Sequence, residues 1–146
     1  MTVAVVLVAV LAACGSDPAP TRADFRSRVN SECRAVRKAV RKVDAPAGAG
    51  PAVLIRSGRR ALVLQRAAVR NIAAVPRPLA DRARITRWLA GLRRALDSVG
   101  GSLDAQARVD LAAANQANAT GAALVQRAEH EARALGLDDC VTPTTG

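Results

Sequence analysis

The stretch Thr21-Arg22-Ala23-Asp24-Phe25-Arg26-Ser27-Arg28-Val29-Asn30-Ser31-Glu32-Cys33-Arg34-Ala35-Val36-Arg37-Lys38-Ala39-Val40-Arg41-Lys42-Val43 decides the fold class. Within it Phe25, Val29, Cys33, Val36, Val40 and Val43 recur every three or four residues, the spacing that lines up one face of a helix. Arg34, Arg37, Lys38, Arg41 and Lys42 fall off that stripe, on the side left for solvent. Thr21 followed three residues later by Asp24 fits a capping box, so a helix is expected from Arg22 to about Val43. The run Ala45-Pro46-Ala47-Gly48-Ala49-Gly50 then reads as a loop.

Three further helices follow the same logic. The second begins with Pro51 in its first turn, where proline is tolerated, and points Leu54, Leu62, Gln65, Val69, Ile72 and Val75 inward. Pro76-Arg77-Pro78 ends it, because a residue before proline resists the helical region. The third begins near Pro78 and shows Ile85, Trp88, Leu89, Leu92, Leu96 and Val99 on one face, with Gly100-Gly101 as the expected stop. Ser102 is placed to cap the fourth helix, with Asp104 near the positive end of its dipole. Leu103, Leu111, Ala114, Leu124, Val125, Ala128, Ala132 and Leu135 would face inward, Gly121 would be a soft point, and Gly136-Leu137 would close the C-terminus.

No run alternates with period two for long enough to suggest a strand, and no fixed-period self-similarity suggests a solenoid. The chain has 146 residues and its only aromatic side chains are Phe25 and Trp88. A core of Ala, Val, Leu and Ile suits closely spaced helices, and the length suits one core and not two. Short loops between amphipathic helices favour an all-α, up-down-up-down four-helix bundle, here expected over residues 22–146.

Ahead of the first helix, the apolar run Val3–Val10 leads into Leu11-Ala12-Ala13-Cys14 and then the polar Gly15-Ser16-Asp17-Pro18. An apolar segment, small residues and an abrupt polar break form the pattern of a secretory signal. Leu11-Ala12-Ala13-Cys14 resembles the lipobox of bacterial lipoproteins. The resemblance implies that residues 1–13 are a signal peptide, that cleavage frees Cys14, and that Cys14 is lipidated. Residues 14–21 would then tether the bundle to the outer face of the cell membrane, reaching about 25 Å if extended. No Lys or Arg precedes Arg22, so either the basic start of the signal lies upstream of Met1 or the signal is a poor one. The alternative is that residues 3–13 form a buried segment of the fold. The run is too short to span about 30 Å of hydrocarbon as a helix.

With Cys14 consumed by lipid, Cys33 and Cys140 remain, and two cysteines in an exported protein most often pair. The start of helix 1 and the end of helix 4 are neighbours in an antiparallel bundle, which makes a Cys33–Cys140 disulfide sensible. Two free buried thiols are the alternative. Taken together, the lipobox, the Pro/Ala tether, the early helix with Cys33 and the ending Ala134-Leu135-Gly136-Leu137-Asp138-Asp139-Cys140 resemble a group of small actinobacterial lipoproteins. That resemblance implies a disulfide-closed helical bundle held at the membrane surface and no particular activity.

Catalytic chemistry is thinly supplied. His130 is the only histidine, and its flanking Glu129 and Glu131 point in other directions on a helix. A zinc site needs three or four ligands, so no metal site and no cofactor are expected. Ser57, Ser98 and Ser102 have no sequence context that sets one beside His130. Phosphate-loop, dinucleotide and haem-attachment motifs are missing from the sequence.

Charge is the remaining functional signal. The net charge is +10, and the span 22–94 carries 19 basic and 4 acidic residues against 3 and 7 in 95–146. Arginine dominates the basic residues, which either marks phosphate recognition or reflects a GC-rich coding sequence. Nucleic-acid binding fits poorly with export, with the lack of aromatic stacking platforms and with the lack of a DNA-binding motif. A basic body on a short tether instead faces anionic lipid headgroups or cell-wall phosphates, with Arg34, Arg37, Lys38, Arg41 and Lys42 as the contact residues. The expected function is a non-enzymatic, membrane-anchored envelope interaction module of unstated specificity. A binding protein for a small apolar or amphipathic ligand held between helices is the alternative.

Overall fold

The fold was obtained as a computed structural model, which describes residues 19–141. Cys14 and residues 1–13, the expected signal peptide, therefore lie outside the described residues. Four helices run in the order α1 (Arg22–Arg41), α2 (Pro51–Ala74), α3 (Arg82–Ala107) and α4 (Leu111–Leu135), with 3-10 turns at Leu79–Asp81 and Asp138–Cys140. They form the four-helix bundle, and the described residues contain no strand. No described helix is long and apolar enough to cross a membrane.

The capping box at α1 forms as the sequence predicts. The Thr21 hydroxyl accepts from the Asp24 backbone N–H (3.1 Å), and the Thr21 backbone N–H donates to the Asp24 carboxylate (3.3 Å). The Thr21 hydroxyl lies 2.6 Å from the same carboxylate oxygen, and these Thr21 contacts, with Arg28 nearby, hold the Asp24 carboxyl below its ordinary pKa. The helix ends at Arg41, half a turn before Val43, where the chain bends into the loop.

Core volume is unevenly distributed. At the end of the bundle where α1 begins, Phe25, Val29, Cys33, Val69, Ile72, Ile85, Trp88, Leu89, Leu135 and Leu137 bury large side chains in one cluster. Toward the other end the buried positions of α3 and α4 become small, Ala95, Ser102 and Ala105 on α3 with Ala114 and Gly121 on α4, while α2 still buries Leu62 there beside Gly100. Trp88, Ala95 and Ser102 are seven residues apart, as are Ala114, Gly121, Ala128 and Leu135. That is the repeat of two helices packed along a shared seam. Small side chains let the seam close, and α3 and α4 form the most extensive helix–helix contact of the molecule. Its closeness shows in Ser98, whose hydroxyl donates across the seam to the Ala117 carbonyl (2.7 Å), and in Gly121, where an added Cβ would lie 3.5 Å from the Ser98 side chain.

The boundary between α3 and α4 corrects the sequence expectation. Gly100-Gly101 does not stop α3, which continues to Ala107, and Ser102 is a buried residue inside it instead of the cap of α4. Each glycine in a helix costs about 1 kcal/mol relative to alanine, but burial of Ser102 and Ala105 against α4 and contact of Leu103 with Gly58 of α2 outweigh that preference. The helix stops instead at Val109, which adopts φ 61°. The Asp110 N–H bonds to the Ala105 carbonyl (2.9 Å) and the Val109 N–H to the Gln106 carbonyl (3.0 Å), the Schellman pattern. Asp110 then caps α4 by accepting from the Ala113 N–H (3.0 Å). Leu111, beside this shifted boundary, is exposed, and so are Leu54, Val99 and Val125, all four expected inside.

A branched side chain in the left-handed region is strained. Val109→Gly should therefore stabilise the protein by about 1 kcal/mol, the strain relieved minus the glycine's greater unfolded-state freedom. The measurement is a shift of the urea midpoint with unchanged slope. A second expectation concerns pH. Because the Asp24 carboxyl is depressed in the folded state, its contribution is present above the unfolded carboxylate pKa and is lost as pH falls through the folded one. The stability difference between wild type and Asp24→Asn should be flat above about pH 5 and should shrink below about pH 4.

Candidate functional site

The best-built polar site in the molecule is a clamp on its own C-terminal segment. Gly136 takes φ 71° after α4, and the Leu137 N–H bonds back to the Ala132 carbonyl (2.9 Å), which turns the chain onto α1. Four α1 residues one turn apart, Arg26, Asn30, Arg34 and Arg37, then hold residues 135–141. Arg26 Nε donates to the Leu135 carbonyl (2.7 Å), and its guanidinium fills the space a Cβ on Gly136 would need. Asn30 works in both directions: its amide nitrogen donates to the Gly136 carbonyl (3.4 Å) and its oxygen accepts from the Asp139 N–H (3.2 Å). Arg34 pairs with the Asp139 carboxylate, and Arg37 donates to the carbonyls of Asp139 and Val141.

Leu137 is fully buried beneath this strap and Cys140 is bonded to Cys33, their Cα atoms 5.1 Å apart across 107 residues of sequence. Covalent bond, buried leucine and polar clamp therefore act on the same seven residues, 135–141. The sequence points to the cysteine pair and to Gly136. It gives no sign of Arg26 or Asn30, because a polar residue on the outer face of a helix looks the same whether it meets water or a returning strand of chain.

Of the predicted surface-contact residues, Arg34 and Arg37 are engaged in this clamp. Lys38, Arg41 and Lys42 lie exposed at the far end of α1 with no ion-pair partner among the described residues. Acidic side chains are mostly occupied. Asp24 and Asp110 cap helices, while Asp81, Asp97 and Asp104 pair with Arg22 (2.7 Å), Arg66 (2.9 Å) and Arg59 (2.8 Å). Glu129 and Glu131 lie 3.5 Å from Arg133 and Arg84.

His130 is exposed on α4 in an open groove with Ala123, Gln126, Arg127 and Glu131. The buried hydroxyl of Ser102 accepts from Gln106 (3.0 Å) and that of Ser98 bridges to α4, so neither stands beside the histidine. Among the described residues, no three His, Cys, Asp or Glu side chains are grouped to hold a metal ion. No family model matches the chain, and neither the curated proteins nor the solved structures contain a significant match.

Closing a loop of this length by a disulfide is worth about 4–5 kcal/mol on the chain-entropy model. Cys33→Ser with Cys140→Ser should lower unfolding free energy by about that amount in denaturant titrations. Asn30→Ala, with the disulfide intact, should cost about 1–3 kcal/mol, since it leaves main-chain groups of the strap unpaired.

Proposed function

We propose that the chain is an exported lipoprotein, cleaved ahead of Cys14 and acylated there, that works by binding anionic components of the cell envelope and not by catalysis. Lipid headgroups and cell-wall phosphates are the chemical class of partner. The observation that carries this reading is the unspent positive charge. Most acidic side chains are engaged in helix caps and ion pairs, while Lys38, Arg41 and Lys42, among other cations, remain solvated. Each basic residue near an anionic surface contributes about 1 kcal/mol before salt screening. The start of α1 at Arg22, eight residues after Cys14, keeps the bundle within reach of the surface to which a lipid on Cys14 would anchor it. The likeness to small actinobacterial lipoproteins supports the same address.

Intact mass of the protein from its native membrane fraction tests the anchor. The expected result is loss of residues 1–13, acyl mass on Cys14, and two thiols that appear only on reduction. An unprocessed chain with three alkylatable cysteines would sink the proposal. For the surface contact, Lys38→Glu, Arg41→Glu and Lys42→Glu together should weaken binding to phosphatidylglycerol vesicles by about tenfold or more at low salt, and leave binding to neutral vesicles unchanged.

A further inference from the structure

Helices α2 and α3 meet along a ladder of side chains in a single antiparallel register. Arg59 pairs with Asp104 (2.8 Å), Arg66 with Asp97 (2.9 Å), and beyond the end of α2 the Arg77 guanidinium donates to the Thr86 hydroxyl (3.0 Å). Each step forward on the α2 side is matched by an equal step back on α3, so the three rungs lie on one stripe of the seam. One rung remains between the second and third. Four residues past Arg66 lies Arg70, and four residues before Asp97 lies Arg93. Here an arginine faces an arginine.

Arg70 and Arg93 are exposed, and neither has an ion-pair or hydrogen-bond partner among the described residues. Together with Arg66 and Asp97 they rim a cleft of about 240 Å³ whose floor is Val69, buried, and Leu96, partly buried. Asp97 is the cleft's only acidic group and is engaged by Arg66. Two guanidinium groups are thus left over, on opposite walls of a groove with an apolar base. An arginine offers planar, paired N–H donors that match phosphate oxygens, and a phosphate has enough acceptors to bridge two of them.

We propose that Arg70 and Arg93 form a phosphate-binding site, and that the apolar floor accommodates carbon attached to that phosphate. The site needs neither Cys14 nor a membrane, so it goes beyond the envelope reading and can fail separately from it. Its phosphate can come from a phospholipid headgroup or from a free anion, and the test separates these sources.

The experiment follows arginine Nε–H resonances of the disulfide-closed protein by NMR at constant ionic strength. It compares chloride, inorganic phosphate, and dihexanoyl phosphatidylglycerol kept below its micelle concentration. The expected result is a saturable shift at Arg70 and Arg93 that Arg56 and Arg60, exposed on α2 outside the cleft and with no ion-pair partner among the described residues, do not share. Response to inorganic phosphate identifies a free-phosphate site. Response only to the lipid, together with shifts of the Val69 methyl groups, identifies a headgroup site. R93D makes this rung resemble its neighbours, so it should keep the folded spectrum, raise the thermal midpoint and weaken the response at least tenfold. R70Q gives the same loss of response without adding a carboxylate. Equal shifts at all four arginines, no saturable shift with either ligand, or a response that survives both variants would overturn the proposal.

Discussion

The strap formed by residues 136–141 is the constraint on which the rest of the bundle depends. Helix α1 packs on α2 along one side, and on its other side it is held chiefly by the returning C-terminal segment. Without Leu137, Cys140 and the Arg26–Asn30–Arg34–Arg37 face, Phe25 and Val29 would lose one wall of their enclosure. The local chain makes this possible at low cost. Gly136 enters the left-handed region without a Cβ to strain, and one turn of 3-10 helix brings Cys140 over Cys33. The disulfide then fixes a geometry that the polar clamp already favours.

A core with one phenylalanine and one tryptophan has little apolar area to bury per residue. The molecule uses two different solutions at its two ends. Where α1 begins, the large side chains Phe25, Ile85, Trp88 and Leu89 gather in one cluster. At the other end, Ala95, Ser102, Ala114 and Gly121 bring backbones together, and contact replaces side-chain volume. The second solution tolerates polar atoms because a short hydroxyl such as Ser98 reaches the neighbouring main chain directly.

Where periodicity, proline and capping residues spoke with one voice, the sequence reading matched the molecule. The stripe from Phe25, the Pro51 start, the Pro76–Pro78 break and the Gly136 cap all appear in the fold. The pairing of Cys33 with Cys140 was legible from cysteine number and antiparallel order. The α3–α4 boundary was not, because local preference and tertiary packing disagreed there: Gly100-Gly101 looks like a stop, Val109 looks like a helix or strand residue, and packing reverses both. Polar partnerships were equally hidden. Arg34 and Arg37 read as solvent-facing charge, yet their partners lie more than a hundred residues away on a segment whose path no local pattern specifies.

Trp88 is 2% exposed and the chain has no tyrosine. The protein thus carries a single indole fluorophore, set among the large side chains of one end and far along α3 from the Val109 turn. Emission from it will report the opening of that end of the core and little else. Loosening at the small-residue end would pass unseen by fluorescence while remaining visible to helix-sensitive circular dichroism. If the two ends of the bundle come apart at different temperatures, these two signals will separate, and the molecule will have revealed its own internal cooperativity without any added label.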